Sequence, residues 1–206
     1  MPESFHAIYY VRPAVSMMAC PLDPADVVEW QLAFSSTVHS GPSRLPAMRF
    51  VVHEHQAQHH HWDFRLELAG ALVSWAVPKG PSMDPSQKRL AIRVPDHPLS
   101  YASFEGIIPE GQYGAGPVVI WDRGTFVPAG DTATQDLKQG KLTFELRGKK
   151  FRGGFTLVRL KRGEGKDWLL IKNADEFAVR RWKIESALSP ARLRSLREKQ
   201  PPCDTQ

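Results

Sequence analysis

Between His61 and Leu68 the chain alternates without a break: Trp62, Phe64, Leu66 and Leu68 are apolar, while His61, Asp63, Arg65 and Glu67 are polar or charged. Successive side chains of a β-strand point to opposite sides, so a period of two buries one face and leaves the other for a different use. A helix would scatter both sets around a cylinder. The segment is therefore expected as a strand whose apolar face packs on a core. Its other face carries an imidazole, a carboxylate and a guanidinium in one line.

The surrounding sequence has the same texture. Short apolar or alternating runs occur at Phe50–Val52, Leu72–Val77, Leu90–Val94, Val118–Trp121, Leu142–Leu146, Phe155–Leu160 and Trp168–Ile171, separated by turns drawn from 15 Gly and 17 Pro. Many short strands with tight connections favour a small antiparallel barrel or sandwich over alternating βαβ units. Helices are expected only at the periphery: Thr132–Gln139, Asp175–Trp182, and one from Ser189 with Pro190 at its start. A further helix is expected in the first 45 residues, capped by Asp23, with Val27, Val28 and Leu32 on one side. The expected organisation is an N-terminal extension over 1–45, a β domain over 46–178, and a basic helical tail over 179–206.

Charge is distributed unevenly. Residues 1–140 sum to −4 and residues 141–200 to +10, within a chain of net charge +5. The second half suits a polyanion, which raises encounter rates without specifying sequence or reaction. The two cysteines, Cys20 and Cys203, stand near opposite ends, outside any zinc-site spacing. No stretch approaches the roughly 18 apolar residues that span a bilayer, and the N-terminus lacks the basic and apolar regions of an export signal. A cytoplasmic protein without a membrane partner is the expectation.

Five of the eight histidines fall between residues 53 and 61. His61, Asp63 and Arg65 share one strand face, and His55 joins them if the chain turns back between Gln56 and His60. Imidazole with carboxylate suits Mn2+, Fe2+ or Zn2+ better than Ca2+. A guanidinium beside such a cation can fork onto a phosphate that the cation also polarises. His97 before Pro98, followed by Tyr101, adds an imidazole and a phenol in one short loop; Arg89 and Lys79 are further candidate phosphate contacts. Other chemistries lack their signatures: the Gly163–Asp167 stretch is not a nucleotide-binding P-loop, no lysine opens an adenylation motif, and Gly-x-Ser-x-Gly is absent. Gly106 to Gly116 is expected as a set of sharp turns.

These residues resemble the 3′-phosphoesterase module of bacterial DNA ligase D and its stand-alone relatives. The resemblance runs through Arg49–Val52, His55, His61–Leu68, Ser74–Ser82, Lys88–Ala91, Asp96–Leu99, Phe104 to Gly116, Trp121–Gly124 and Trp168–Lys172, covering about residues 46–178. It implies a compact antiparallel β-barrel with short peripheral helices, and a metal-dependent activity, typically with Mn2+, on DNA or RNA/DNA 3′ ends. A terminal ribonucleoside is removed, then the 3′-phosphate left behind. By the same resemblance His55, His61 and Asp63 hold the metal, Arg65, Arg89 and His97 contact the scissile phosphate, and Tyr101 completes the site. His97 is the best candidate for a proton donor or a charged phosphate ligand, since an ordinary histidine pKa near 6.5 allows either state near neutrality. Separate ligase, polymerase or end-joining proteins are the implied partners. The chain departs from the family pattern at His53-Glu54, at Trp62 in place of a common tyrosine, and at Pro95 where an acidic residue is usual. The rival expectation is a non-catalytic nucleic-acid-binding adaptor of the same fold.

Overall fold

The computed structural model describes residues 48–202. The helix expected near Asp23 and the N-terminal extension as a whole lie outside the described residues.

Nine strands follow in order: β1 Met48–Gln56, β2 His60–Leu68, β3 Ala71–Val77, β4 Arg89–His97, β5 Gly106–Ile108, β6 Gly116–Pro128, β7 Lys141–Gly148, β8 Arg152–Arg159 and β9 Asp167–Lys172. Every pairing is antiparallel, in the order β1-β2-β3-β4-β9-β8-β7-β6, and β1 also pairs with β6. Eight strands thus close into a barrel, and the fold is mainly β as expected. Short β5 is the strand that the apolar pattern did not signal; it extends the sheet beside Gly116–Val118 of β6. Two short α-helices, α1 Ala133–Gln139 and α2 Pro190–Ser195, and two 3-10 turns, Leu99–Ser103 and Gly163–Gly165, complete the described elements. Gly140 ends α1 in the left-handed conformation, at φ 92°. Ser189 opens α2 by accepting from the Arg192 amide.

The alternation seen in sequence is realised. Phe64, Leu66 and Leu68 point inward with Phe50, Val52, Trp75, Phe144, Phe155 and Trp168 to form the main core. Burying one such side chain contributes about 2–3 kcal/mol. Phe64, Phe144 and Phe155 stand with neighbouring ring centroids 5.9 and 6.3 Å apart, so aromatic rings fill the barrel centre. A second, smaller cluster of Leu72, Tyr101, Phe104, Ile108 and Val118 lies apart from it, on the outer side of the wall.

The helix expected over Asp175–Trp182 does not form. Asp175 instead accepts from the backbone amides of Gly154 and Phe177 and from the Lys172 ammonium, and Arg181 takes a positive φ of 57°. Short acidic side chains that satisfy nearby amides offer the backbone an alternative to helix. Beyond it the chain runs along the barrel as a strap. Trp182, Ile184 and Ala187 pack against the main core, and the Trp121 indole donates to the Glu185 carbonyl at 2.6 Å. Ile184 sits so close to Gly80 that a Cβ there would lie 2.5 Å from its Cδ1.

Candidate metal centre and phosphate-facing site

β1 and β2 are joined by the three residues Ala57–His59, and their register sets His55 opposite His61 and His53 opposite Asp63. All four therefore emerge from the same outer face. One donor atom from each of His55, His61 and Asp63 lies within 4.8 Å of the others. His55 Nδ1 is 3.7 Å from Asp63 Oδ2, and His61 Nε2 is 3.5 Å from Asp63 Oδ1. The opposite nitrogen of each ring meets a backbone carbonyl: His55 Nε2 donates to Gly114 O at 2.7 Å, and His61 Nδ1 donates to His59 O at 2.7 Å. A carbonyl only accepts, so each distal nitrogen carries the proton and the nitrogen beside Asp63 offers its lone pair. That is the outer-sphere arrangement that fixes imidazole ligands for a metal, and the donor set fits a divalent transition cation.

Arg65 is the hub beside this cluster. It is 2% exposed. Its Nη2 donates to Asp63 Oδ2 at 3.0 Å, Nη1 to Ser74 Oγ at 2.8 Å and to His97 Nδ1 at 2.9 Å, and Nε to His53 Nδ1 at 3.3 Å. Four of the five guanidinium hydrogens are thus committed within the protein, leaving one on Nη2. Tyr101 lies across the group, with the guanidinium carbon 4.8 Å from its ring centroid and the His97 ring 4.7 Å away.

The charges follow from these contacts. Burial disfavours the Asp63 carboxylate, but the Arg65 charge and the adjoining His55 and His61 rings outweigh it and hold its pKa well below the usual value. Burial opposes protonation of His61 too, yet Asp63 raises its pKa above 6.5. Burial, reinforced by the Arg65 charge, lowers both His53 and His97 to about 3. Because an arginine N–H can only donate, His53 accepts at Nδ1 and carries its proton on Nε2. His97 Nδ1 faces two groups of opposite demand, the donating Arg65 Nη1 at 2.9 Å and the accepting Pro95 carbonyl at 3.0 Å. At neutral pH the lowered pKa leaves the His97 ring neutral.

His97 reaches this face through an irregularity. Leu72 of β3 pairs with His97, whereas Ser74 pairs with Val94, so β4 carries one extra residue between them. Regular pairing would have set Asp96 opposite Leu72 and turned His97 away. Pro95 lies inside this bulge, where a missing amide hydrogen is tolerated. Arg89 is not brought to the cluster. It shares strand parity with Ala91, whose side chain enters the main core, and its guanidinium donates to Gln87 Oε1 at 2.5 Å. Lys79 stands exposed in the turn after β3.

With that geometry in place, similarity to known proteins becomes informative. A family model described as the DNA ligase D 3′-phosphoesterase domain matches residues 53–159. The chain belongs to the DNA ligase D 3′-phosphoesterase family. It is 47% identical over 154 residues to the multifunctional non-homologous end joining protein LigD of Pseudomonas aeruginosa, covering 71% of this chain and 18% of that protein. The Mycobacterium tuberculosis LigD is 48% identical over 122 residues, covering 58% of this chain and 15% of its own. The LigD of Mycolicibacterium smegmatis is 38% identical over 152 residues, covering 69% and 19% respectively. The chain thus spans less than a fifth of the length of these curated relatives. Membership together with the His55/His61/Asp63 cluster supports a metal-dependent, end-processing phosphoesterase role in general terms.

Three residues of this 3′-phosphoesterase-family chain have roles that sequence reasoning passed over. Ser74 receives Arg65 and donates to the Leu72 carbonyl at 2.8 Å. Gly114, at φ 78°, presents its carbonyl to His55 from the turn expected only as a structural one. Glu54 is fully buried and accepts from Ser186 Oγ at 2.6 Å, from the Ala187 amide at 2.5 Å and from His60 Nε2 at 2.9 Å, tying β1 to the strap. A serine inside an alternating strand beside the arginine strand was the one available signal; the other two depend on distant partners. Among the described residues no helix is long and apolar enough to cross a membrane.

Proposed function

We propose that this chain hydrolyses phosphate esters at the 3′ ends of DNA or RNA/DNA strands, using a divalent cation, Mn2+ in the first instance, held by His55, His61 and Asp63. On this reading it removes a 3′-terminal ribonucleoside and then the remaining 3′-phosphate, leaving the hydroxyl that a polymerase or ligase requires. The observation that carries it is the pair of carbonyl contacts, from Gly114 and His59, that turn one lone pair of each imidazole toward Asp63.

A cation seated there supplies Lewis-acid polarisation of a phosphoryl oxygen. The protein contributes the rest. Arg65 has one uncommitted N–H and a full charge for the developing negative oxygens. In the tautomer that the Arg65 contact favours, His97 offers its Nε2 hydrogen to a phosphoryl oxygen as a neutral donor. Tyr101 covers the guanidinium and excludes water from it, which strengthens both interactions. Arg89 reaches a phosphate only on releasing Gln87. The proposed setting is cytoplasmic, beside separate ligase, polymerase or end-joining proteins.

The test is a 5′-labelled primer ending in one ribonucleotide, incubated with and without Mn2+, using wild type and His61→Ala. Shortening by one nucleoside, followed by loss of the phosphate, is expected only with both metal and His61. A folded wild type that binds the primer but gives no metal-dependent product would establish the non-catalytic adaptor instead.

A further inference from the structure

A groove of about 630 Å3 lies on the outer face of β1 and β6, bordered by Arg49, Arg123, Lys149, Ser100, Ser103 and Thr125. Its place relative to the reacting centre follows from register. Val51 pairs with Arg65 on one side and with Arg123 on the other, so Ser74, Arg65, Val51 and Arg123 form one outward-facing row across four strands. Two strand spacings, about 10 Å, separate Arg65 from Arg123. The Leu99–Ser103 turn links the two places, with Tyr101 over Arg65 and Ser100 and Ser103 on the groove.

The groove's charge is not spent internally. Arg49 is paired with Glu67, but the exposed side chains of Arg123 and Lys149 have no ion-pair partner among the described residues. Lys149 is presented from a fixed turn, since Asp122 accepts from the amides of Lys149, Lys150 and Phe151. By contrast, the basic residues of the tail are partly committed: Arg192 is bonded to Glu105, and Arg197 donates to carbonyls of its own segment.

We infer that this groove holds the sugar-phosphate backbone of the strand whose 3′ end enters the metal centre. The inference rests on the reading above. A strand that terminates at the metal can continue only on its 5′ side, and 10 Å corresponds to about three nucleotides at 3.4 Å each. Arg123 and Lys149 therefore contact phosphates about three nucleotides upstream of the reacting ester. They add affinity for length, not for sequence.

The experiment uses 3′-phosphorylated DNA oligonucleotides of two, four and ten nucleotides with Mn2+, and the full chain as wild type and as Arg123→Gln/Lys149→Gln. Wild-type KM should fall between the dinucleotide and the ten-mer. In the double variant, KM for the ten-mer should rise roughly tenfold while kcat and the dinucleotide KM hold within twofold. Fluorescence anisotropy of the ten-mer across salt gives a second readout: the log–log slope should drop by about 1.4, or about 0.7 for Arg123→Gln alone. A ten-mer KM and a salt slope indistinguishable from wild type overturn the inference, as does a slope moved by Arg194→Gln/Arg197→Gln in the C-terminal tail instead. Should no substrate be hydrolysed, the catalytic reading fails, and the anisotropy slope still decides the groove.

Discussion

Replacing Glu54 by leucine separates the strap from the metal centre. The Glu54 carboxylate sits at 0% exposure between two metal-side histidines in sequence, yet faces the opposite way and holds Ser186 and Ala187. Two hydrogen bonds to a carboxylate are worth about 1.5–3 kcal/mol each. The bond from His60 counts for little, because that ring is nearly half exposed. Leucine restores apolar burial but leaves the Ala187 amide without its acceptor. The net destabilisation should be about 2–4 kcal/mol, which lowers the melting temperature by roughly 5–15 °C for a domain of this size. Urea unfolding of Glu54→Leu, Ser186→Ala and the double variant gives the coupling, expected at about 1.5–3 kcal/mol. Limited proteolysis should cut first within residues 180–190. Metal affinity should stay within about threefold of wild type, because His55 is oriented from Gly114 on the other face. A coupling below about 0.5 kcal/mol, within ordinary additivity error, with an uncut strap would refute the assignment of Glu54 as its anchor.

Arg65→Lys should lower kcat by at least about 100-fold while leaving metal binding measurable by calorimetry, because an ammonium cannot span Asp63, Ser74, His97 and His53 at once. Gly114→Ala forces a Cβ to 3.2 Å from His55 Cε1 at a positive φ, so Mn2+ affinity should fall about tenfold or more, read by titration. Mn2+ affinity of the wild type should rise with pH through the raised pKa of His61 and level off above it, since the ligand must be unprotonated. Stability of the metal-free chain should fall as pH drops from 6.5 toward about 3: the unfolded state takes up protons there that His53 and His97 refuse when folded. His53→Asn, which keeps an acceptor for Arg65 without titrating, should make that decline shallower in urea melts at stepped pH.

The barrel was legible because the eight longer strands all carried short apolar or alternating runs, and period two, where it occurs, dictates which side of a strand is buried. β5 was not, since Gly106–Ile108 is three residues long and is held by β6 and by a bridge from Ile107 to Glu198. The expected helix at Asp175–Trp182 failed for a local reason, the capture of amides by Asp175, that periodicity cannot see. In the site, His61, Asp63 and Arg65 could be grouped from one strand, and His55 from the short turn that follows it. Arg89 enters the expected set from the family resemblance; in the structure it shares the parity of core-facing Ala91 and donates to Gln87. Ser74 left a trace, as a serine inside an alternating strand, whereas Gly114 and Glu54 meet His55 and the strap 59 and 132 or more residues away, separations at which composition and spacing carry no signal.

A barrel of eight strands leaves an interior just wide enough for side chains, and here aromatic rings occupy it. The metal-facing cluster accordingly stands on the outer wall, where a carboxylate and a guanidinium would ordinarily be hydrated and weakly coupled. The second apolar cluster changes that setting. Tyr101, Phe104, Ile108 and Val118 cluster with Leu72 on the outer wall, Tyr101 lies across Arg65, and Asp63 and Arg65 are 5% and 2% exposed, so each contact acts in a medium of low effective dielectric. The bulge at Pro95 adds His97 to the same covered face. Trimming Phe104 or Ile108, which supply neither a metal donor nor a partner of Arg65, should accordingly weaken the Asp63–Arg65 coupling and raise the Asp63 pKa toward its ordinary value, measurable by carboxyl NMR titration of the metal-free chain. An unmoved Asp63 in a folded Phe104→Ala variant would show that the strands alone, without their outer cover, create the site's electrostatics.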